Sequence, residues 1–383
     1  MKRFFLFLFL IGFCQIAFAE EPVTGRYGAS LYGFIKLEAF YDDAQVAQGD
    51  WLLFVQPGGG DKQDVFSMNA RHTRLGLRFD GPGFGFNGQV KGLVELDFAG
   101  GFPNSSTAAR QPNPRLRHAW VELSTPGWEA RFGQDWALIA GPFPNTTSFV
   151  VGAGKGNLWM RYPQVRFTVK ADPVKFAFSF NRPMAGNMKY NDNTGGDFDP
   201  VGHGERSGMP WMMARFYLTF GGTTFSVSGH YGNERVQDLG GKEHTLSSFS
   251  ANADLEAAAG PIALTLRGFV GENLNSFFGG VFQGYVREET AVSNIASRGG
   301  WGQLKATFSP EWSATAGAGF DDPDNGDLAS GMRSMNRWIF GNLTYAMNDA
   351  VSFMLEAEHL KTSCLGLLPG ENLRWMFVTY YRF

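Results

Sequence analysis

Residues 128–136 read Trp-Glu-Ala-Arg-Phe-Gly-Gln-Asp-Trp, and residues 161–170 read Arg-Tyr-Pro-Gln-Val-Arg-Phe-Thr-Val-Lys. Both stretches alternate with period 2. Trp128, Ala130 and Phe132 oppose Glu129, Arg131 and Asp135, while Val165, Phe167 and Val169 oppose Gln164, Arg166, Thr168 and Lys170. Such alternation marks strands with one apolar and one wet face. The connection between them, residues 137–160, is not a hydrophilic surface loop. Leu138, Ile139, Phe143, Phe149, Val150, Val151, Leu158 and Trp159 make it apolar, and Lys155 is its only charge. A long apolar loop needs a container, and a β-barrel wide enough to hold it is the expected one.

The first residues set the compartment. Lys2 and Arg3 precede an apolar run over 4–13, and Ala17-Phe-Ala19 offers a small-x-small cleavage site, the pattern of a secretory signal peptide. Residues 1–19 are therefore expected to be removed, leaving 20–383 as a single domain. A lipoprotein reading of Cys14 is disfavoured by Phe13, and loss of Cys14 leaves Cys364 without an internal disulfide partner. No later stretch is long and apolar enough for a membrane helix. Yet the chain holds 37 Phe and 50 Gly, with a slightly negative mean hydropathy. Exported, aromatic-rich, Gly-rich and polar on average is the profile of a transmembrane barrel, in which apolar residues take alternate positions only.

Strand patterns recur along the whole chain in a rhythm of long loops and short turns. Leu31, Ile35, Leu37 and Ala39 face out against Lys36 and Glu38; Leu75, Leu77 and Phe79 oppose His72, Arg74 and Arg78; Val90, Val94, Leu96 and Phe98 oppose Gln89, Lys91, Glu95 and Asp97. Residues 115–124 resist assignment, because Arg115, Arg117, His118, Trp120 and Glu122 do not share one parity. The tally is sixteen antiparallel strands, an even number with short turns at one end and long loops at the other, as in bacterial outer-membrane barrels. A soluble sandwich or propeller does not require aromatics on so many outward faces. At the C-terminus, Phe377, Tyr381 and the terminal Phe383 share a face, and resemble the signal by which outer-membrane barrels are recognised for insertion.

No catalytic constellation, metal site or cofactor site emerges. None of the six histidines forms an i, i+4 metal pair or neighbours a nucleophile in a known motif. Gly152-Ala-Gly-Lys-Gly156 lacks the Ser or Thr and the helix of a phosphate loop, and reads as the bend at the tip of the inward loop. The charges within strands are different. A Lys or Arg facing lipid at mid-membrane costs roughly 2–4 kcal/mol, so Arg74, Arg78, Lys91, Arg131, Arg166, Lys170, Lys175 and Arg215 are expected to line a wet interior. Several would pair with Glu95, Asp97 or Glu129, but no carboxylate is expected to face the basic wall at the loop. Loop 137–160 should lie against the strands at 66–98 and 128–170. This makes Arg74, Arg78, Arg131, Lys155, Arg161, Arg166 and Lys170 the expected constriction, with Lys91, Lys175 and Arg215 as further lining. Arginines hold carboxylates or phosphates bidentately, and local sign selects permeant ions, so anions are the expected solutes.

Arg115-Leu-Arg-His-Ala-Trp-Val-Glu122, Phe132-Gly-Gln-Asp-Trp136 and Arg161-Tyr-Pro-Gln-Val-Arg166, with Gly299-Gly-Trp-Gly-Gln303, residues 336–345 and Glu356-Ala-Glu-His359, resemble the DcaP-like family of trimeric outer-membrane porins. That resemblance implies a homotrimer in the outer membrane of a Gram-negative bacterium, a third extracellular loop folded into the pore, and small anionic solutes such as dicarboxylates. The founding type carries an N-terminal coiled-coil extension, whereas only about ten residues separate Ala19 from the first strand here. Phosphate-selective and other substrate-specific porins remain alternatives, as does a non-conducting structural, adhesin or enzymatic barrel. Nucleic acid is not an expected partner.

Overall fold

A computed structural model describes residues 27–44, 46, 49–59, 64–100, 112–184 and 202–383; the signal-peptide reading lies outside them. The strands are β1 (Gly28–Asp42), β2 (Val65–Asn69 continuing as Arg74–Phe84), β3 (Gly88–Gly100), β4 (Asn113–Ser124), β5 (Trp128–Trp136), β6 (Arg161–Ala171), β7 (Val174–Asn181) and β8 (Trp211–Phe220). They continue as β9 (Thr223–Gln237), β10 (Glu243–Ala259), β11 (Ile262–Glu272), β12 (Ala296–Thr307), β13 (Trp312–Pro323), β14 (Arg333–Ala346), β15 (Val351–Cys364) and β16 (Leu367–Arg382). Each pairs antiparallel with the next, and β16 returns to β1 with Phe34 opposite Arg382 and Asp42 opposite Arg374. The sheet is thus a closed sixteen-stranded barrel, the expected architecture. Both segments of β2 pair with β1, and the break between them turns Arg71 and His72 into the interior, where both are buried.

Closure satisfies the backbone and leaves the side chains to alternate. On β1, Leu31, Ile35 and Leu37 are exposed on the outside while Lys36 and Glu38 are buried inside. Phe176, Phe178 and Phe180 do the same on β7, and Phe377 and Tyr381 on β16. Several strands run on past their apolar alternation on the loop side; β9 reaches Gln237 and β10 starts at Glu243. The outer face of these extensions is polar (Asn233, Arg235, Gln237, Glu243, Thr245), so the outward apolar alternation that signals a strand is missing there.

The parity problem at 115–124 has a physical cause. Glu95 pairs with His118 but Leu96 pairs with Leu116, so Arg117 is an extra residue in a β-bulge. The bulge shifts the alternation by one. Arg115, Arg117, His118, Trp120 and Glu122 consequently turn inward together, and Leu116 and Val121 are exposed outside.

Candidate functional site

The interior is filled from the loop end by three segments rather than one. Trp51, Leu53 and Phe54 from the first loop, Leu138, Ile139, Val150, Leu158 and Trp159 from loop 137–160, and Leu274, Phe277, Phe278, Val281 and Phe282 from the loop after β11 form one apolar core. The backbone couples the last two: Gly154 N–H donates to Phe278 O at 2.9 Å and Trp159 N–H to Phe277 O at 3.1 Å. Only 137–160 was marked by the sequence reading, although Trp51-Leu-Leu-Phe-Val55 and Phe277-Phe278 carry the same apolar signal.

Loop 137–160 spans the barrel and is held by the far wall, not only by the strands that flank it. At its root Arg215 donates to Leu138 O and Ala140 O, and Arg267 donates to Ile139 O and to Asn157 Oδ1; Asp254 balances both arginines at 2.9 and 3.5 Å. Midway, Asn145 and Thr147 are held by Gln303, Asn342 and Glu356. At the tip, Lys155 Nζ lies 2.9 Å from Glu358 Oε2, both fully buried. The glycines there permit close approach: a β-carbon on Gly319 would lie 2.3 Å from Lys155 O, and one on Gly156, at φ 103°, would lie 2.1 Å from Gly300 O. The tip bend over 152–156 is as expected. On the far wall, opposite the basic strands, two carboxylates that were not foreseen receive the loop: Glu356 and Glu358 on β15. Lys155 is therefore an anchor outside the open space, and Arg215, although interior, is committed to the loop root.

The opposite wall, from β1 to β6, is a lattice of arginines and carboxylates. Arg115 chelates Asp97 at 3.0 and 2.7 Å, and Arg117 bridges Glu95 at 2.7 Å and Asp97 at 2.8 Å. Arg74 lies 3.5 Å from Glu95, and Tyr32 donates to the same carboxylate at 2.8 Å. Arg131 holds Glu122 and Asp135, and His118 reaches Asp135 at 2.9 Å. Lys36 is 2.5 Å from Glu38, whose other oxygen meets His72 Nδ1 at 2.6 Å. Glu38, Asp50 and His72 thus cluster like metal ligands, but Lys36 and a bidentate Arg71 already neutralise the two carboxylates.

Between this wall and the loop lies a cavity of about 320 Å³. Lys36, Arg74, Arg117 and Arg161 line it with His72 and the Thr146-Thr147-Ser148 segment, and among the described residues no carboxylate does. Arg161 has no carboxylate partner among the described residues; its guanidinium lies 4.5 Å from the Trp136 ring centre and 5.8 Å from that of Trp159. Cation–π contact of this kind holds a guanidinium while leaving its donors for an anion. Arg131, Arg166 and Lys175 line a second cavity of about 140 Å³, shared with Glu122 and Glu129. Lys170 pairs with Glu129 at 3.1 Å. Arg78 stacks on Tyr32 at 3.7 Å, and Lys91, three residues into β3, is exposed near the turn end. The sequence-named cations therefore divide: Arg74 and Arg161 share one cavity, Arg131 and Arg166 another, and Arg78, Lys91 and Lys170 lie lower. Arg117 and Lys36 were missed as cavity-lining residues, the first because the bulge hid its parity.

The class of fold these features define is the sixteen-stranded antiparallel barrel with an interior loop. Among solved structures the chain is similar to the outer-membrane channel DcaP of Acinetobacter baumannii, with TM-score 0.77, 19% identity, and coverage of 93% of this chain and 97% of that one. It is also similar to an anion-selective porin from Comamonas acidovorans (TM-score 0.60, 12% identity, covering 93% and 99%) and to Salmonella typhi OmpF in complex with daunomycin (0.61, 10%, 93% and 98%). No protein-family model and no curated protein matches the sequence.

Proposed function

We propose that the chain is a DcaP-like porin of the Gram-negative outer membrane, a passive channel for small hydrophilic anions such as dicarboxylates, with residues 1–19 serving as its signal peptide. One observation carries the sign: the cavity beside the inward loop is lined by Lys36, Arg74, Arg117 and Arg161 and, among the described residues, by no carboxylate. A low-dielectric gap strengthens the attraction of such a wall for an anion, while transit requires that each site bind weakly. Loop 137–160 acts as the constriction. The similarity to an anion-selective porin agrees in sign. Assembly as a homotrimer is part of the proposal, supported by a similar Vibrio cholerae barrel described in a trimer form; monomer alone in native mass spectrometry from mild detergent would remove it. Planar-bilayer recording is the main test. Stepwise openings with a reversal potential on the anion side of a salt gradient are expected. Cation preference refutes the sign, and folded protein without conductance favours a structural, adhesin or enzymatic barrel.

A further inference from the structure

On the interior face of β9, near the loop end, Glu234 is fully buried and neither carboxylate oxygen has a hydrogen-bond partner. Among the described residues no Lys, Arg or His forms an ion pair with it. The polar groups over it are just as unsatisfied. Asn273, fully buried and held at φ 53°, has no partner for either side-chain polar atom, and neither has Asn275 Oδ1. The polar side chain beside the Glu234 carboxyl is the Asn273 amide, whose N–H is the group placed to donate to it. The two amide oxygens converge on Gly284: a β-carbon there would lie 2.2 Å from Asn273 Oδ1 and 2.6 Å from Asn275 Oδ1.

Buried polar atoms without partners are rare, and several at one place need a common explanation. A proton on Glu234 would neutralise the charge and supply one donor, which leaves at least one of the two amide oxygens open. A cation answers the oxygens together, while the Asn273 amide N–H stays beside the carboxylate. The donors are oxygens only, from one carboxylate and two side-chain amides, which suits a hard ion and not zinc. We infer that Glu234, Asn273 and Asn275 form a site for a divalent cation of the calcium class, closed over by Gly284. Bound there, the ion ties the loop after β11 to the barrel wall. That loop in turn carries Phe277 and Phe278, whose carbonyls hold Trp159 and Gly154 of the inward loop. A single carboxylate places the affinity in the weak class, on the order of 10⁻⁴–10⁻³ M.

The test uses the full folded protein in detergent, stripped with a chelator and then titrated with calcium alone, read by equilibrium dialysis and by the thermal midpoint. Wild type should take up a single calcium per chain and gain thermal stability with it. Glu234→Gln, which has the shape of the protonated acid, should lose both responses. Gly284→Ala removes no ligand but places a methyl group among the amide oxygens; it too should abolish uptake, and it carries the test should Glu234→Gln not fold. Wild type without uptake at millimolar calcium overturns the inference in favour of a neutral buried acid. Undiminished uptake in both variants overturns it by showing that the ion binds elsewhere. Neither readout depends on conduction, so the site stands or falls apart from the channel proposal.

Discussion

At the scale of single residues, interior cations of one chemical type carry different duties according to what they touch. Arg161 rests on two tryptophans and faces open space; Lys155 is buried against Glu358. Arg161→Glu should therefore move the reversal potential toward cations, and Arg117→Glu should do so less, since it also releases Glu95 and Asp97. No shift in either would take the constriction away from this cavity. Lys155→Met should leave selectivity alone but destabilise the fold by roughly 3 kcal/mol, because removing one partner strands a buried carboxylate. Denaturant unfolding in detergent measures this, and Lys155→Met with Glu358→Gln should recover most of the loss. A pH signature accompanies it. Burial pulls the Lys155 ammonium below its ordinary value of 10.5, against the attraction of Glu358. The folded chain then binds this proton less readily than the unfolded chain, so its contribution makes stability rise with pH from the lowered value up to 10.5. That slope should be missing from Lys155→Met.

Among the elements, the three inward loops form one packed unit. Phe277 is fully buried against Tyr162, Trp211 and His230. Phe277→Ala should cost about 3–5 kcal/mol of loop packing, with the barrel itself intact. Limited proteolysis should then cut residues 273–295 while the heat-modifiable mobility of the folded barrel persists; resistance equal to wild type would show that the loops pack independently. The strands were legible in the sequence because lipid on one side and water on the other impose period 2. The same physics explains what was not legible. Beyond the outward apolar band the outer face becomes polar, so β9 and β10 extend without the outward apolar signal. The Arg117 bulge breaks parity by one residue, and parity is all that a sequence shows of facing. Which cation stays free depends on cross-barrel partners such as Asp254 and Glu358, remote in sequence from the arginines and lysine they bind. The proposed Glu234 site likewise draws on β9 and on the loop after β11, with no spacing motif to announce it.

For the molecule as a whole, the decisive event is the meeting of the two chain ends, since a barrel has no stable edge in lipid until β16 reaches β1. The terminal residue takes part in that seam. Phe383 N–H donates to Gly33 O at 3.2 Å, and Gly33 N–H donates to Phe383 O at 3.1 Å. Its ring is partly exposed on the outer face, 6.2 Å from that of Tyr381. The residue contributes backbone bonds that close the ring and an aromatic side chain on the outer face, and experiment decides whether the second has a role in insertion. The two contributions can be separated. Phe383→Ala keeps both backbone bonds and removes the aromatic side chain, whereas deletion of Phe383 removes both. If the side chain is an insertion signal, Phe383→Ala should fold normally from denaturant into detergent or lipid vesicles but reach the outer membrane of living cells in much lower amount. Deletion should lower both yields. The comparison of refolding yield with outer-membrane yield decides it: equal losses in both assays for Phe383→Ala would make the ring a packing element of the seam, since Gly33 leaves it room only 3.1 Å from where a β-carbon would stand.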